Sequence, residues 1–113
     1  MNKQILDKYG LRFTKKVSMW KIEDIPTGPD LIVSYLLALS KSEIEGWLLP
    51  EIASVLNNLK EEGEVDTAPV WAEFNKTRTI LRNAWNNDNA IVIPTKDFEG
   101  IIISWSQFLR RWL

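Results

Sequence analysis

The side chains with the clearest chemical potential are carboxylates concentrated in the middle third of the chain. Segment 43–73 contains eight carboxylates and one basic residue, Lys60, so its net charge is −7, whereas that of the whole chain is only −1. The remainder is therefore +6, and such an asymmetry sets up a field that attracts and orients a charged partner. The carboxylates are Glu43, Glu45, Glu51, Glu61, Glu62, Glu64, Asp66 and Glu73.

This density of carboxylates suits either a docking surface for a basic protein or an ordinary solvated face. Four of them surround Gly63, which predicts that they lie on a helix end and a loop within reach of a partner: Glu61, Glu62, Glu64 and Asp66. Carboxylates near a helix C-terminus oppose its macrodipole, which favours a role in binding over a role in stability. A Ca²⁺ or Mg²⁺ site is disfavoured because the D-x-[DN]-x-[DN]-G spacing is absent.

Tryptophan is the second residue type of interest, since the chain has six and this residue is over-represented at binding hot spots. Trp47 and Trp71 lie inside the acidic segment, so either is a candidate for a partly exposed anchor, with core packing as the alternative. Trp105 is expected in the core. The residues predicted to bind a partner are Glu61, Glu62, Glu64, Asp66, Trp71 and Glu73.

The composition argues against an enzyme. The chain has neither cysteine nor histidine, so it lacks thiolate nucleophiles, the usual near-neutral general base and the commonest metal ligand. Its five glycines are too widely spaced for a phosphate-binding loop. We therefore expect no catalytic residues, no cofactor and no metal. A small enzyme would have to rely on carboxylate or lysine chemistry alone.

Nucleic-acid and membrane partners are also disfavoured. Lys15, Lys16 and Lys21 lie near Phe13 and Trp20, a mixture that suits backbone contact and base stacking. The chain as a whole is slightly acidic, however, with a pI of about 5.5. The longest apolar stretch, nine residues from position 31 to position 39, is too short to span a bilayer, and the N-terminus lacks a signal-peptide core. We expect a cytoplasmic protein without a membrane partner.

The N-terminal half predicts a short helix over residues 3–9 that stops at Gly10. One or two strands are expected within residues 11–22, with a turn near Lys15–Lys16. A buried helix follows Pro29, because residues 31–39 are apolar nearly all round.

The next helices are predicted from caps and spacing. Ser42 and Glu45 have the spacing of a capping box, and the helix that contains Ile52, Val55, Leu56 and Leu59 is expected to end at Gly63. Asp66 or Thr67 would cap a further helix, with Pro69 in its first turn. Its predicted buried face consists of Val70, Phe74, Thr77, Leu81 and Ala84.

The C-terminal part predicts a turn at residues 86–89, a buried strand over residues 90–94 and a final amphipathic helix capped by Thr95. The apolar face of that helix consists of Phe98, Ile101, Ile102, Trp105, Leu109 and Trp112. The predicted fold is a single α+β domain, residues 1–113. It is mainly helical, with four or five helices and a small sheet of two or three strands.

Residues 91–109 carry a family resemblance. An I-V-I-P strand precedes a helix with the face F-x-x-I-I-x-x-W-x-x-F-L, running from Phe98 to Leu109. This arrangement resembles the closing strand and helix of small cytosolic immunity proteins from bacterial toxin–immunity systems, including contact-dependent growth inhibition. The resemblance implies tight binding to a cognate toxin domain, often a nuclease, whose active site would be blocked. It transfers no binding residue, because the shared positions are structural.

Two functions from different classes remain. The first is an immunity-type inhibitor whose acidic segment meets a basic, toxin-like protein. The second is a small adaptor or regulatory subunit of a larger complex that binds through tryptophan-lined helices. Salt separates the two, because association driven by charge weakens with ionic strength and hydrophobic docking does not.

Overall fold

The computed structural model describes residues 2–110, which contain both helices and strands. This part contains four helices: α1 (Lys3–Lys8), α2 (Asp30–Leu37), α3 (residues 41–56) and α4 (Thr95–Arg110). Helix α3 is one continuous helix, since Lys41–Glu43 leads through a π-helical segment, Ile44–Leu48, into Leu49–Leu56. The strands are β1 (Arg12–Val17), β2 (Ile22–Thr27), β3 (Glu62–Glu64), β4 (Val70–Asn75), β5 (Arg78–Asn83) and β6 (Asn86–Pro94).

The predicted mainly helical fold is wrong. The described residues form a small α+β domain that is 42% helix and 33% strand, with six strands in two sheets. Strands β1 and β2 form a separate hairpin, and the other four form an antiparallel sheet in the order β3-β4-β5-β6. No described helix combines the length and the apolar character needed to cross a membrane.

The largest error concerns residues 66–84, which were predicted as a helix and instead form β4 and β5. Val70, Ala72 and Phe74 are buried in alternation with exposed residues, which is the period of a strand. Two asparagines make the turns. The Asn75 side chain accepts backbone N–H groups from residues 77 and 78, and Asn83 does the same for residues 85 and 86.

Two local predictions about α3 and one about the first hairpin are also wrong. The capping box is formed by Ser40 and Glu43, not by Ser42 and Glu45: the Ser40 hydroxyl accepts the Glu43 N–H, and the Glu43 carboxylate accepts the Ser40 N–H. The helix ends at Leu56 and not at Gly63, which lies in β3. The turn of the first hairpin lies at residues 18–21, beyond Lys15–Lys16.

Helix α4 contacts both sheets and organises the core. Near its N-terminus, Phe98 packs on Tyr35 of α2 and Phe74 of β4, with ring centroids 5.8 and 6.0 Å apart. Toward its C-terminus, Trp105 meets Phe13 of β1 edge-on at 4.8 Å. The buried face predicted for this helix is therefore confirmed for Phe98, Ile101, Ile102 and Trp105, while Leu109 is half-buried and Trp112 lies outside the described residues.

Several other predictions agree with the structure. Helix α1 spans most of residues 3–9, and Gly10 follows it with a positive φ of 65°. The strand predicted at 90–94 is the second half of β6, although only Ile93 in that half is buried. The turn predicted at residues 86–89 is wrong, because these residues form the first half of β6. Thr95 does begin the last helix, but its hydroxyl donates to the Asn75 carbonyl at 2.7 Å and so joins the helix to the end of β4.

Candidate functional site

The predicted binding residues converge on the outer face of the four-stranded sheet. Successive strand side chains point to opposite faces, so burial of Val70, Ala72 and Phe74 sends Trp71 and Glu73 outward. The short edge strand β3 extends this face with two exposed glutamates, Glu62 and Glu64, on either side of buried Gly63. Four of the six predicted residues, Glu62, Glu64, Trp71 and Glu73, therefore share one surface.

Two of these carboxylates oppose each other directly. Glu64 and Glu73 are register partners in the antiparallel β3–β4 pair. Like charges at such positions destabilise a sheet, because the Cβ atoms lie only about 4.5–5.5 Å apart. Positive charges offset this repulsion only weakly. Glu73 pairs with Arg82 at 3.4 Å, and Glu64 makes no ion pair with any described residue. The sheet thus keeps a repulsive pair on an open surface.

A groove of about 530 Å³ runs over this pair. We call it the acidic groove; the charged residues that line it are Glu51, Glu62, Glu64, Glu73, Lys60 and Arg78. A second depression of about 360 Å³ shares Glu64 and Glu73 and adds Trp71 and Arg82. The acidic groove therefore continues to an aromatic side chain that is 44% exposed.

The groove remains negative after its internal pairing. Lys60 bonds Glu51 at 2.6 Å, which neutralises the carboxylate from α3. Glu73 pairs with Arg82 at 3.4 Å, which leaves the strand carboxylates Glu62 and Glu64 against Arg78, the other base in the lining. An excess of negative charge thus lies over β3 and β4, where a cationic side chain from outside would find several acceptors.

The floor of the groove explains the glycine at its centre. A Cβ on Gly63 would lie 2.5 Å from Cε2 of Phe74, which is closer than carbon atoms can approach. The β3 backbone therefore packs directly on the Phe74 ring, and any side chain at position 63 would push the edge strand away. This close approach, and not a helix end, is the reason for glycine at this position.

The other two predicted residues lie apart from the groove lining. Asp66 accepts the Ala72 N–H at 3.0 Å, so it holds the β3–β4 connection in place. Burial raises the pKa of Asp66, the hydrogen bond from Ala72 opposes that rise, and the negative charge of Glu73 adds to it. Glu61 is exposed immediately before β3. The carboxylates of segment 43–73 do not form one patch, because Glu43 belongs to the capping box of α3.

The N-terminal lysines do not neutralise the acidic groove. Lys8 pairs with Asp97 at 2.7 Å, Lys15 with Asp24 at 2.5 Å, and Lys21 with Glu23 at 2.8 Å. All three carboxylates lie outside segment 43–73. The charge asymmetry of the sequence is thus preserved in the fold.

The tryptophans are distributed between core and surface. Trp105 is buried, and Trp47 and Trp71 are 46% and 44% exposed. Among the described tryptophans, only Trp47 is exposed on a helix. Sequence reasoning missed Arg78 and Arg82, which reach the groove because β5 pairs with β4. The missed signal was the asparagine turn at position 75, which folds β5 back onto β4.

The described side chains include no group of three or more aspartates and glutamates placed to hold a metal ion. Comparisons with protein-family models, with curated proteins and with solved structures each gave no match. The function must therefore be inferred from the groove and from the sequence.

Proposed function

We propose that this chain is a non-enzymatic binding protein, an immunity-type inhibitor that neutralises a cognate bacterial toxin domain by covering its active site. The observation that carries the proposal is the opposed pair Glu64 and Glu73 in an open groove beside exposed Trp71. A sheet gains nothing in stability from this pair, whereas a bound cation would relieve its repulsion. The resemblance of residues 91–109 to immunity proteins supplies the class of partner.

In this mechanism a lysine or arginine of the toxin enters the acidic groove between β3 and β4. It would form charge-assisted hydrogen bonds with Glu64 and Glu73. The aliphatic stem or guanidinium plane would pack on the Trp71 ring, as cations do on exposed indoles. Toxin domains that act on nucleic acid need a basic cleft, so a protein that occupies those basic residues would exclude the substrate.

The first experiment identifies the partner by co-purification of the tagged chain from native cells. Its binding constant is then measured by calorimetry for the wild type, for Glu64→Gln/Glu73→Gln and for Trp71→Ala. We expect each variant to weaken binding by about tenfold or more, as loss of a hot-spot contact does. Asp7→Asn is the matched control, since it removes an exposed carboxylate on α1, away from the groove. Unchanged affinity in both groove variants would refute the assignment of the site.

The same variants separate a binding role from a structural one. Glu64→Gln should raise the free energy of unfolding by a few tenths of a kcal/mol, because it removes like-charge repulsion across β3 and β4. Urea denaturation measures this directly. If the variant is more stable and still binds the partner more weakly, the loss of affinity comes from the lost contact between Glu64 and the partner. A fall in stability would instead mean that Glu64 has a structural partner.

The competing function is an adaptor or regulatory subunit, and exposed Trp47 on α3 is the feature that favours it. Ionic strength distinguishes the two. Docking through the acidic groove should weaken steeply as salt rises, because charges more than a Debye length apart become screened. Salt-insensitive binding that Trp47→Ala abolishes would select the adaptor function and reject the inhibitor function.

A further inference from the structure

The tip of the β1–β2 hairpin, residues 17–22, exposes four large apolar side chains in six residues. The exposed fractions are 71% for Val17, 86% for Met19, 89% for Trp20 and 49% for Ile22. Monomeric proteins rarely leave apolar residues contiguous on the surface, and where they do, the patch marks an interaction site. The acidic groove does not include any of these residues.

The tip is held in place by hydrogen bonds. The Ser18 N–H donates to the Lys21 carbonyl at 2.9 Å, and the Ser18 hydroxyl bonds both backbone groups of Lys21. At the base of the hairpin, Phe13 packs on Trp105 at 4.8 Å, and Lys15 donates to the Phe108 carbonyl at 3.1 Å. The fold thus anchors one end of the hairpin in the core and presents the apolar end to solvent.

The hairpin as a whole is also basic. Residues 12–27 contain four basic residues, Arg12, Lys15, Lys16 and Lys21, against two carboxylates, so their net charge is +2. The carboxylates of Glu23 and Asp24 pair with Lys21 and Lys15 lower on β2. The apolar side chains therefore project beyond a pair of strands that keeps a net positive charge, an arrangement complementary to an apolar layer beneath an anionic surface.

We propose that this hairpin tip docks on the surface of an anionic lipid bilayer. Trp20 and Met19 would enter the interfacial layer, where tryptophan is enriched, while Lys16 and Lys21 would contact the anionic headgroups. Such docking needs no spanning segment, so the shortness of the apolar stretches does not oppose it. The site is separate from the groove, and the chain could hold a protein partner and a membrane at once.

Shape and composition favour lipid over the other occupants. The tip is convex and has six residues, whereas a stable interface between two copies takes roughly 20–30 residues on each side. A nucleic-acid site would stack bases on several aromatic rings. Phe13, the second aromatic residue of the hairpin, is instead packed against Trp105. Valine, methionine and isoleucine offer nothing to a base but suit an acyl layer.

The test is co-sedimentation of the full chain with vesicles. Two compositions are compared: phosphatidylcholine alone, and phosphatidylcholine with about 30% phosphatidylserine, which resembles an anionic leaflet. We expect binding to the anionic vesicles, weaker binding at high salt and about tenfold loss in Met19→Ser/Trp20→Ser. Trp85→Ser is the matched control, because Trp85 is 78% exposed but lies between β5 and β6. It should bind like the wild type.

Four results would overturn the proposal: no wild-type sedimentation, equal binding to neutral vesicles, equal loss in the Trp85→Ser control, or retained binding in the tip variant. Light scattering and a single-stranded oligonucleotide titration are run on the same samples. If the tip variant abolishes self-association or oligonucleotide binding instead, the occupant is a second copy or a nucleic acid. Unfolding curves of the variant confirm that it folds. Because no toxin is present, failure here leaves the proposed inhibitor function untouched.

Discussion

At the residue scale, Asp97 is a carboxylate outside the acidic groove that joins two helices. It accepts the Lys8 ammonium at 2.7 Å and the Tyr9 hydroxyl at 2.5 Å, so it ties α1 to the first turn of α4. The hydrogen bond from Lys8, followed by that from Tyr9, lowers the pKa of Asp97. Burial, with the hydrogen bond to Asp97, raises the pKa of the Tyr9 phenol. The two shifts describe one contact in which the carboxylate stays charged and the phenol stays protonated.

This contact predicts part of the acid sensitivity of the fold. Because the folded-state pKa of Asp97 lies below its unfolded value of about 3.9, its stabilisation is complete above that pH and is lost as pH falls through the folded pKa. Asp97→Asn should cost about 1 kcal/mol at neutral pH and lose this dependence, so the two unfolding curves converge in acid. Urea denaturation at several pH values measures this free energy of unfolding for both proteins. Asp7→Asn should match the wild type, and parallel curves for Asp97→Asn would contradict the assignment.

The residue scale also shows what the sequence could reveal about the candidate site. The residue types were enough to propose Glu62, Glu64, Trp71 and Glu73 as binding residues, because an excess of charge and an aromatic residue are visible without a fold. The opposition of Glu64 and Glu73 was not visible, since strand register depends on the whole sheet. The hydrogen bond that Asp66 accepts from Ala72 was not visible for a similar reason: the two residues are six positions apart, across a turn that composition does not specify.

At the element scale, the errors arise where a strand pattern imitates a helical one. Val70, Phe74 and Leu81 fit a helical face, and they are also inward positions of two adjacent strands. The alternation of apolar and polar residues along β4 was difficult to see in the sequence, because the apolar residue Trp71 occupies an outward position. The turns contain no glycine, the residue that most often marks a turn in a sequence. The asparagine side chains that close these turns were the only other indication of them. By contrast, α4 has a clean apolar face and was predicted closely.

The start of α3 gives a prediction at this scale. Ser40→Ala should lower the free energy of unfolding by about 1 kcal/mol, because it removes the hydroxyl that accepts the Glu43 N–H. Ser42→Ala is the matched control, since this serine is exposed inside the first turn and alanine favours the helix there. Thermal unfolding compares the stability of both variants with that of the wild type. An equal loss in Ser42→Ala would mean that the helix begins elsewhere.

At the scale of the whole molecule, α4 is shared by two sheets that have no strand in common. Phe98 packs near the four-stranded sheet and Phe108 near the hairpin, where its ring centroid lies 5.7 Å from that of Phe13. A two-stranded hairpin is marginal alone, so β1 and β2 depend on this end of the helix. The four-stranded sheet has its own buried face and should open less readily.

Hydrogen exchange tests this division. Phe108→Ala should speed exchange of the amides in β1 and β2 far more than those in β4 and β5, because it removes packing against Phe13 of the hairpin and Trp105 of α4. Phe98→Ala should destabilise the whole domain by about 3–5 kcal/mol, as core phenylalanine truncations do. Mass spectrometry of peptides from the two sheets measures the exchange rates in both variants. Uniform acceleration in Phe108→Ala would show that the domain opens only as a unit.

The position of α4 in chain order bears on synthesis. A ribosome makes every strand of both sheets before it makes Thr95–Arg110, the helix that covers them. Until that segment emerges, Phe74 and Phe13 lack the aromatic neighbours that the helix provides. The nascent chain must therefore keep these surfaces from aggregating until translation has passed the final helix.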